Sequence, residues 1–286
     1  MERPIGVFDS GVGGLTVVKQ LSKILPNEQL IYFGDTARIP YGTKSKRLIQ
    51  QFALEDALFL LQFNIKFLVV ACNTASSSAL EILIQRLTIP VEGVVEPGAQ
   101  TAVQKTRNGR IGIIGTSATI KSSSYTKSIL KLMPEAEVFG QPCPLLVPLV
   151  EEGWLDDEVT KMTLKKYLAP LMEQKVDTII LGCTHYPLLE KAIQQIVGPQ
   201  VTLIDSGKET ARVVKERLAA LKLVNAGPKP NEDLYFVSDS ARQFSQVGSR
   251  FLEKQLENVQ RIDFDEFLIK HSDAPLLKNL EVLHEE

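Results

Sequence analysis

Short apolar, β-branched runs alternate along this chain with stretches whose apolar residues recur every three or four positions, the rhythm of strands alternating with amphipathic helices. Ile5-Gly6-Val7-Phe8-Asp9 is the first run. A glycine-rich turn, Ser10-Gly11-Val12-Gly13-Gly14, leads from it into a helix carrying Leu15, Val18, Leu21 and Leu25. Leu30–Gly34 predicts a second strand, followed by the polar, turn-rich loop Asp35–Gly42 and a helix over about 45–63. Phe67-Leu68-Val69-Val70-Ala71 then runs into Cys72, with helical spacing from Ala75 to Leu87, and Val91–Pro97 predicts a fourth strand.

At Arg110 the pattern restarts. Arg110-Ile111-Gly112-Ile113-Ile114-Gly115-Thr116-Ser117 repeats the shape that begins at Pro4, 106 residues earlier. Val138-Phe139 takes the place of the second strand. Thr178–Gly182 runs into Cys183, 111 residues after Cys72, and Val201–Ser206 echoes the strand predicted at Val91. Four elements in one order, with lags that agree within a few residues, indicate two related α/β units.

The helix at about 207–222, the loop around Gly227-Pro228-Lys229-Pro230, the strand Leu234–Val237, the helix at about 240–254 and a short strand near Ile262 have no counterpart in the second repeat. They are expected to complete the first unit. The expected fold is therefore two pseudo-symmetric open α/β domains with mostly parallel sheets, 1–97 with 207–286 and an inserted 98–206, with the active site in the cleft between them.

Composition narrows the partners. With 32 basic and 34 acidic residues among 286, the chain has no charge excess that would draw it to nucleic acid or an anionic membrane. Three cysteines without C-x-x-C spacing argue against a disulfide framework or a structural zinc site and fit a reducing cytosol. No signal-peptide core and no apolar span of about 18 residues is present, so a soluble, cytoplasmic protein is expected.

Cys72 and Cys183 carry the strongest chemical signal. Each ends a buried strand and precedes a helical pattern, which is where open α/β sheets bind ligands and where a helix amino end favours a thiolate. One such cysteine is ordinarily a small core residue. Two in matched contexts, facing across a cleft, suit inversion of a stereocentre, in which one thiolate removes a proton and the opposing thiol delivers another. Thiols of ordinary pKa, about 8.5, would occupy one chosen thiolate/thiol arrangement roughly a tenth of the time at pH 7.5, a penalty of about 1.5 kcal/mol. On that basis protonation state is not the obstacle, and the weakly acidic α-proton is.

Ser10, Asn73, Thr74, Ser76, Thr116, Ser117 and Thr184 lie at strand-to-helix turns, where hydroxyl, amide and backbone donors favour a carboxylate or serve as helix caps. Asp9, His185, and Glu151 or Glu152 could tune or relay protons. The turn at Ser10–Gly14 is no dinucleotide site, because Thr16 stands where the third glycine belongs. Cys143, between two prolines, reads as structural and Trp154 as packing, while His271 and His284 lie in an uninformative tail.

Taken together, Gly6–Gly14, Gly34-Asp35-Thr36-Ala37-Arg38-Ile39-Pro40-Tyr41-Gly42, Ala71–Ser76, Val147–Glu151 and Leu181–Pro187 closely resemble the motifs of the glutamate racemase family, over nearly the whole chain to about residue 210. The resemblance implies interconversion of L- and D-glutamate with no metal or other cofactor, for peptidoglycan synthesis. It implies Cys72 and Cys183 as the acid/base pair and Asp9, Glu151 and His185 as assistants in proton transfer. It further implies Asp9, Ser10, Pro40, Tyr41, Gly42, Asn73, Thr74, Thr116, Thr119, Thr184 and His185 as the substrate-binding set. A homodimer is expected. Because the chain begins just before its first strand, the dependence on a cell-wall precursor found in some extended members is not expected.

Three rivals were open on sequence alone. An aspartate or other amino-acid racemase shares the paired-cysteine logic, a cysteine hydrolase would use one thiolate as nucleophile, and a two-domain binding protein would do no chemistry.

Overall fold

The structure, a computed structural model, describes residues 2–278. The elements of its first part are β1 (Ile5–Asp9), α1 (Leu15–Ile24), β2 (Leu30–Gly34), α2 (Lys46–Leu61), β3 (Phe67–Val70), α3 (Asn73–Arg86), β4 (Val91–Gly93) and α4 (Val95–Lys105). There follow β5 (Arg110–Gly115), α5 (Ser117–Ser122), α6 (Ser124–Leu132), β6 (Glu137–Pro142), α7 (Leu146–Glu151), α8 (Glu158–Glu173), β7 (Thr178–Gly182), α9 (Glu190–Val197) and β8 (Thr202–Asp205). The chain then gives α10 (Ser206–Ala220), β9 (Leu234–Val237), α11 (Ala241–Leu252), β10 (Val259–Arg261) and α12 (Phe264–Lys270).

These strands form two parallel sheets, ordered β10-β9-β2-β1-β3-β4 and β6-β5-β7-β8. The second order repeats the 2-1-3-4 segment of the first, so the repeated sequence pattern corresponds to a repeated topology. The late strands β9 and β10 extend the first sheet beyond β2. Every residue of β1, β2, β3 and β7 is buried. Burial on both faces explains why these strands read as continuous apolar runs rather than as alternating ones.

Three expectations are corrected. The predicted strand Val91–Pro97 stops at Gly93, and α4 begins at Val95. Pro97 stands in the first turn of that helix, where its missing N–H costs no hydrogen bond. The strand foreseen only at Val138-Phe139 extends to Pro142 as a half-buried edge strand, its weak signal reflecting Gly140, Gln141 and Pro142. Trp154, expected to pack, is 47% exposed. Among the described residues no helix is long and apolar enough to cross a membrane, and His284 lies outside the described residues.

Candidate active site

Because both sheets are parallel, β1, β3, β5 and β7 deliver Asp9, Ala71-Cys72, Gly115-Thr116 and Gly182-Cys183 at their carboxyl ends, the edge at which open α/β sheets hold ligands. Cys72 is the N-cap of α3, and its Sγ accepts the Ala75 N–H at 3.5 Å. Cys183 differs. Its helix enters through a 3-10 turn, Tyr186–Leu189, with Pro187 in it, and α9 proper starts only at Glu190. The helix amino end expected beside each cysteine is formed at Cys72, whereas at Cys183 a 3-10 turn intervenes.

The turns of the two halves interlock reciprocally. From the first half, the Thr16 hydroxyl donates to the Thr184 carbonyl at 3.0 Å, and Thr184 Oγ1 approaches Asp9 Oδ1 at 3.5 Å. Gly13 lies so close that a Cβ there would stand 2.2 Å from Thr184 Oγ1 and 2.5 Å from His185 Nδ1. From the second half, Thr116 and Thr119 meet Thr74, with Oγ1 separations of 3.0 Å for Thr74–Thr116, 3.3 Å for Thr74–Thr119 and 3.0 Å for Thr116–Thr119. Tyr125 donates to Asn73 Oδ1 at 2.7 Å. The turn after each central strand thus faces the cysteine turn of the other half.

Each sulfur has its own polar company. The Cys72 thiol is 3.6 Å from Ser10 Oγ and feels the charge of Asp9, whose carboxylate accepts the Gly11 N–H at 3.1 Å. Cys183 Sγ is 3.9 Å from His185 Nδ1, and His185 Nε2 is 2.9 Å from Glu151 Oε1. With Nε2 turned to Glu151, Nδ1 is turned to the Cys183 thiol, and which atom gives the proton in each contact follows the tautomer of the ring. Glu152, the alternative to Glu151, is exposed at the end of α7.

Burial dominates the electrostatics. Cys72 is 5% and Cys183 6% exposed. Loss of water, with the negative charge of Asp9 in second place, pushes the Cys72 thiol up to about 12, against the pull of the Ala75 N–H. Burial also pushes Cys183 up; the main-chain N–H of His185 opposes it, while Asp9 and Cys72 add to it. Asp9 itself is raised by burial, with His185 and the Gly11 and Gly14 N–H groups acting the other way. The ordinary thiol pKa used for the sequence-based penalty is therefore corrected. At about 12, forming the Cys72 thiolate at pH 7.5 in the ligand-free site costs about 6 kcal/mol, at about 1.4 kcal/mol per unit.

The Thr36–Thr43 loop reaches the same place. Gly42 packs on Thr116, which a Cβ would meet at 2.9 Å. The Tyr41 side chain points instead into a buried acidic cluster, its hydroxyl 2.5 Å from Asp35 Oδ2 and 3.0 Å from Asp56 Oδ2. Arg38 joins Asp35, Asp56 and Glu55. The single phenolic proton can go to only one carboxylate. Burial and the neighbouring Asp35 push Asp56 above the usual carboxylate range, while Arg38 and the Tyr41 hydroxyl act the other way.

Sequence reasoning missed Thr16, Tyr125 and the Arg38 cluster, because their partners are remote in the chain. Among the described residues no group of three or more His, Cys, Asp or Glu side chains is arranged to hold a metal ion. Cys143, by contrast, is fully buried in the core with Leu146 and Tyr186.

Two like parallel sheets that meet through the carboxyl ends of their central strands, each bringing a cysteine, define an α/β protein with its candidate site at the junction of the sheets. The profile of the Asp/Glu/Hydantoin racemase family matches residues 5–214, and the chain belongs to that family. It is 53% identical over 263 residues to the glutamate racemase of Geobacter metallireducens, covering 92% of this chain and 97% of that protein. Its structure is similar to that of a glutamate racemase isoform from Bacillus anthracis, with TM-score 0.88 and 41% identity over 91% of this chain and 97% of that one. It is also similar to the Francisella tularensis glutamate racemase in complex with D-glutamate, with TM-score 0.86 and 40% identity over 93% and 99% of the two chains.

Proposed function

We propose that this chain interconverts L- and D-glutamate without a cofactor, Cys72 and Cys183 acting from opposite faces of the α-carbon, and that it supplies D-glutamate for peptidoglycan synthesis. What supports the reading is the junction of the two cysteine turns: Thr16 donates to the Thr184 carbonyl, and Thr184, next to Cys183, approaches Asp9 at 3.5 Å. The substrate-class choice rests on relatives that are glutamate racemases.

The buried thiols dictate what the substrate must contribute. Its ammonium, entering beside Asp9, supplies the positive charge that favours a thiolate and so lowers the cost of forming one. Its carboxylates go to uncharged donors: the hydroxyls of Ser10, Thr74, Thr116, Thr119 and Thr184, the amide of Asn73, and the main chain of Pro40–Gly42. One thiolate then takes the α-proton, the developing carbanion is stabilised by those donors, and the opposite thiol reprotonates it. Asp9 assists at Cys72, and the Glu151–His185 pair at Cys183.

In this reading the chain divides into 1–97 with 207–286 and 98–206, with the site at their junction, and works in the cytoplasm as a homodimer. Polarimetry with L-glutamate, D-glutamate and the aspartate enantiomers tests the activity. The expected result is loss of optical rotation from both glutamate enantiomers and at least tenfold slower change with aspartate. A steady signal with glutamate would end the reading.

A further inference from the structure

The last turn of α11 belongs to the first sheet's half of the molecule, yet its two successive residues Arg250 and Phe251 both reach the second half. Arg250 Nη1 donates to the Val150 carbonyl at 3.2 Å and the Glu151 carbonyl at 2.9 Å. These are the carbonyls at the carboxyl end of α7, where a cation is favoured. The guanidinium lies flat against Gly153, at φ +82°, where a Cβ would come within 2.8 Å of Cζ and Nη1. Phe251, 1% exposed, meets the His185 ring edge to face at a centroid distance of 5.2 Å.

Neighbouring residues of one helix thus hold both members of the Glu151–His185 pair, one through Glu151's own main chain and the other through the imidazole. Glu151 needs such a tie because its side chain is 37% exposed, whereas the His185 side chain is 8% exposed.

We propose that Arg250 is a positioning residue for the Cys183 half of the reaction. By fixing the end of α7 it keeps Glu151 Oε1 on His185 Nε2, and so keeps Nδ1 directed at the Cys183 thiol. This rests on the proton-transfer role given above to Glu151 and His185. A displacement of the carboxylate by about 1 Å is enough to slow a proton relay strongly.

A double-mutant cycle on the full chain tests it. Arg250→Ala is expected to lower kcat about tenfold while KM stays within twofold, and Arg250→Lys, which keeps one donor, to recover part of the loss. Glu151→Gln is expected to lower kcat by itself, and adding Arg250→Ala to it should cost less than twofold more. Gly153→Ala crowds the guanidinium but also strains a turn at φ +82°, so it is read against Arg250→Ala: it should lower kcat when Arg250 is present and by less than twofold once Arg250 is gone. An equal factor for Arg250→Ala in both backgrounds, or none in either, would overturn the proposal. A wild-type rate for Glu151→Gln would remove its premise as well, whereas a slow Glu151→Gln beside unaffected Arg250→Ala and Gly153→Ala would remove the proposal alone.

Discussion

At the scale of single residues the two thiols set the problem. Their strand-end positions, and the helix amino end at Cys72, were legible in sequence, because a strand-cysteine-helix pattern is a local signal. The raised pKa values were not, because burial comes from residues far away in the chain. The sign of the pH dependence follows. In the free enzyme both thiols are neutral near pH 7, and the active state needs one of them charged, so a proton must be lost on the way to it. We predict that kcat/KM rises steadily from pH 6 to 8.5, the alkaline fall being displaced upward because burial and the first charge both oppose a second ionisation. A profile that falls with pH across that range would contradict this account. Cys72→Ser and Cys183→Ser should each lower kcat by about 10²–10⁴-fold, the usual worth of a placed acid or base, with unchanged circular dichroism. Full activity in either variant would contradict the pairing.

At the scale of elements, most strands and helices were readable because burial on both faces gives long apolar runs and helices keep their apolar stripe. The failures are instructive. Pro97 looked like a strand end and is part of a helix's first turn, and Pro187 accompanies a 3-10 entry where a plain helix was expected. Close approaches between turns were not readable either, since a glycine does not say what it touches. Gly13→Ala puts a methyl into Thr184 and His185, and a shift of that size at a proton-transfer site should cost about 100-fold in kcat while circular dichroism stays native; near-normal turnover would show that the turn yields harmlessly. Tyr41→Phe leaves Asp35 and Asp56 without their shared hydroxyl. It should lower the unfolding free energy by about 1–3 kcal/mol in urea titration and raise KM by loosening the loop that carries Gly42.

For the whole molecule, the repeat in the sequence anticipated a repeat in strand order, and the strands after residue 206 return to the first sheet. What composition could not reveal is how distant segments are tied. Lys66, fully buried, meets Glu28 at 2.6 Å and donates to the Leu223 carbonyl at 2.7 Å, joining three remote parts of the chain. Lys66→Met would strand a buried carboxylate, so the expected loss is about 3–5 kcal/mol of stability; an unchanged urea midpoint would argue against the tie.

The central claim, that a sulfur stands on each side of one carbon, is tested most directly by following the label in deuterated water at low conversion of L-glutamate. Separate donors for removal and return predict D-glutamate that carries deuterium at Cα from the first turnover while the remaining L-glutamate stays protiated. D-glutamate that keeps the substrate's own proton, or an L-glutamate pool that exchanges faster than it racemises, would contradict the account.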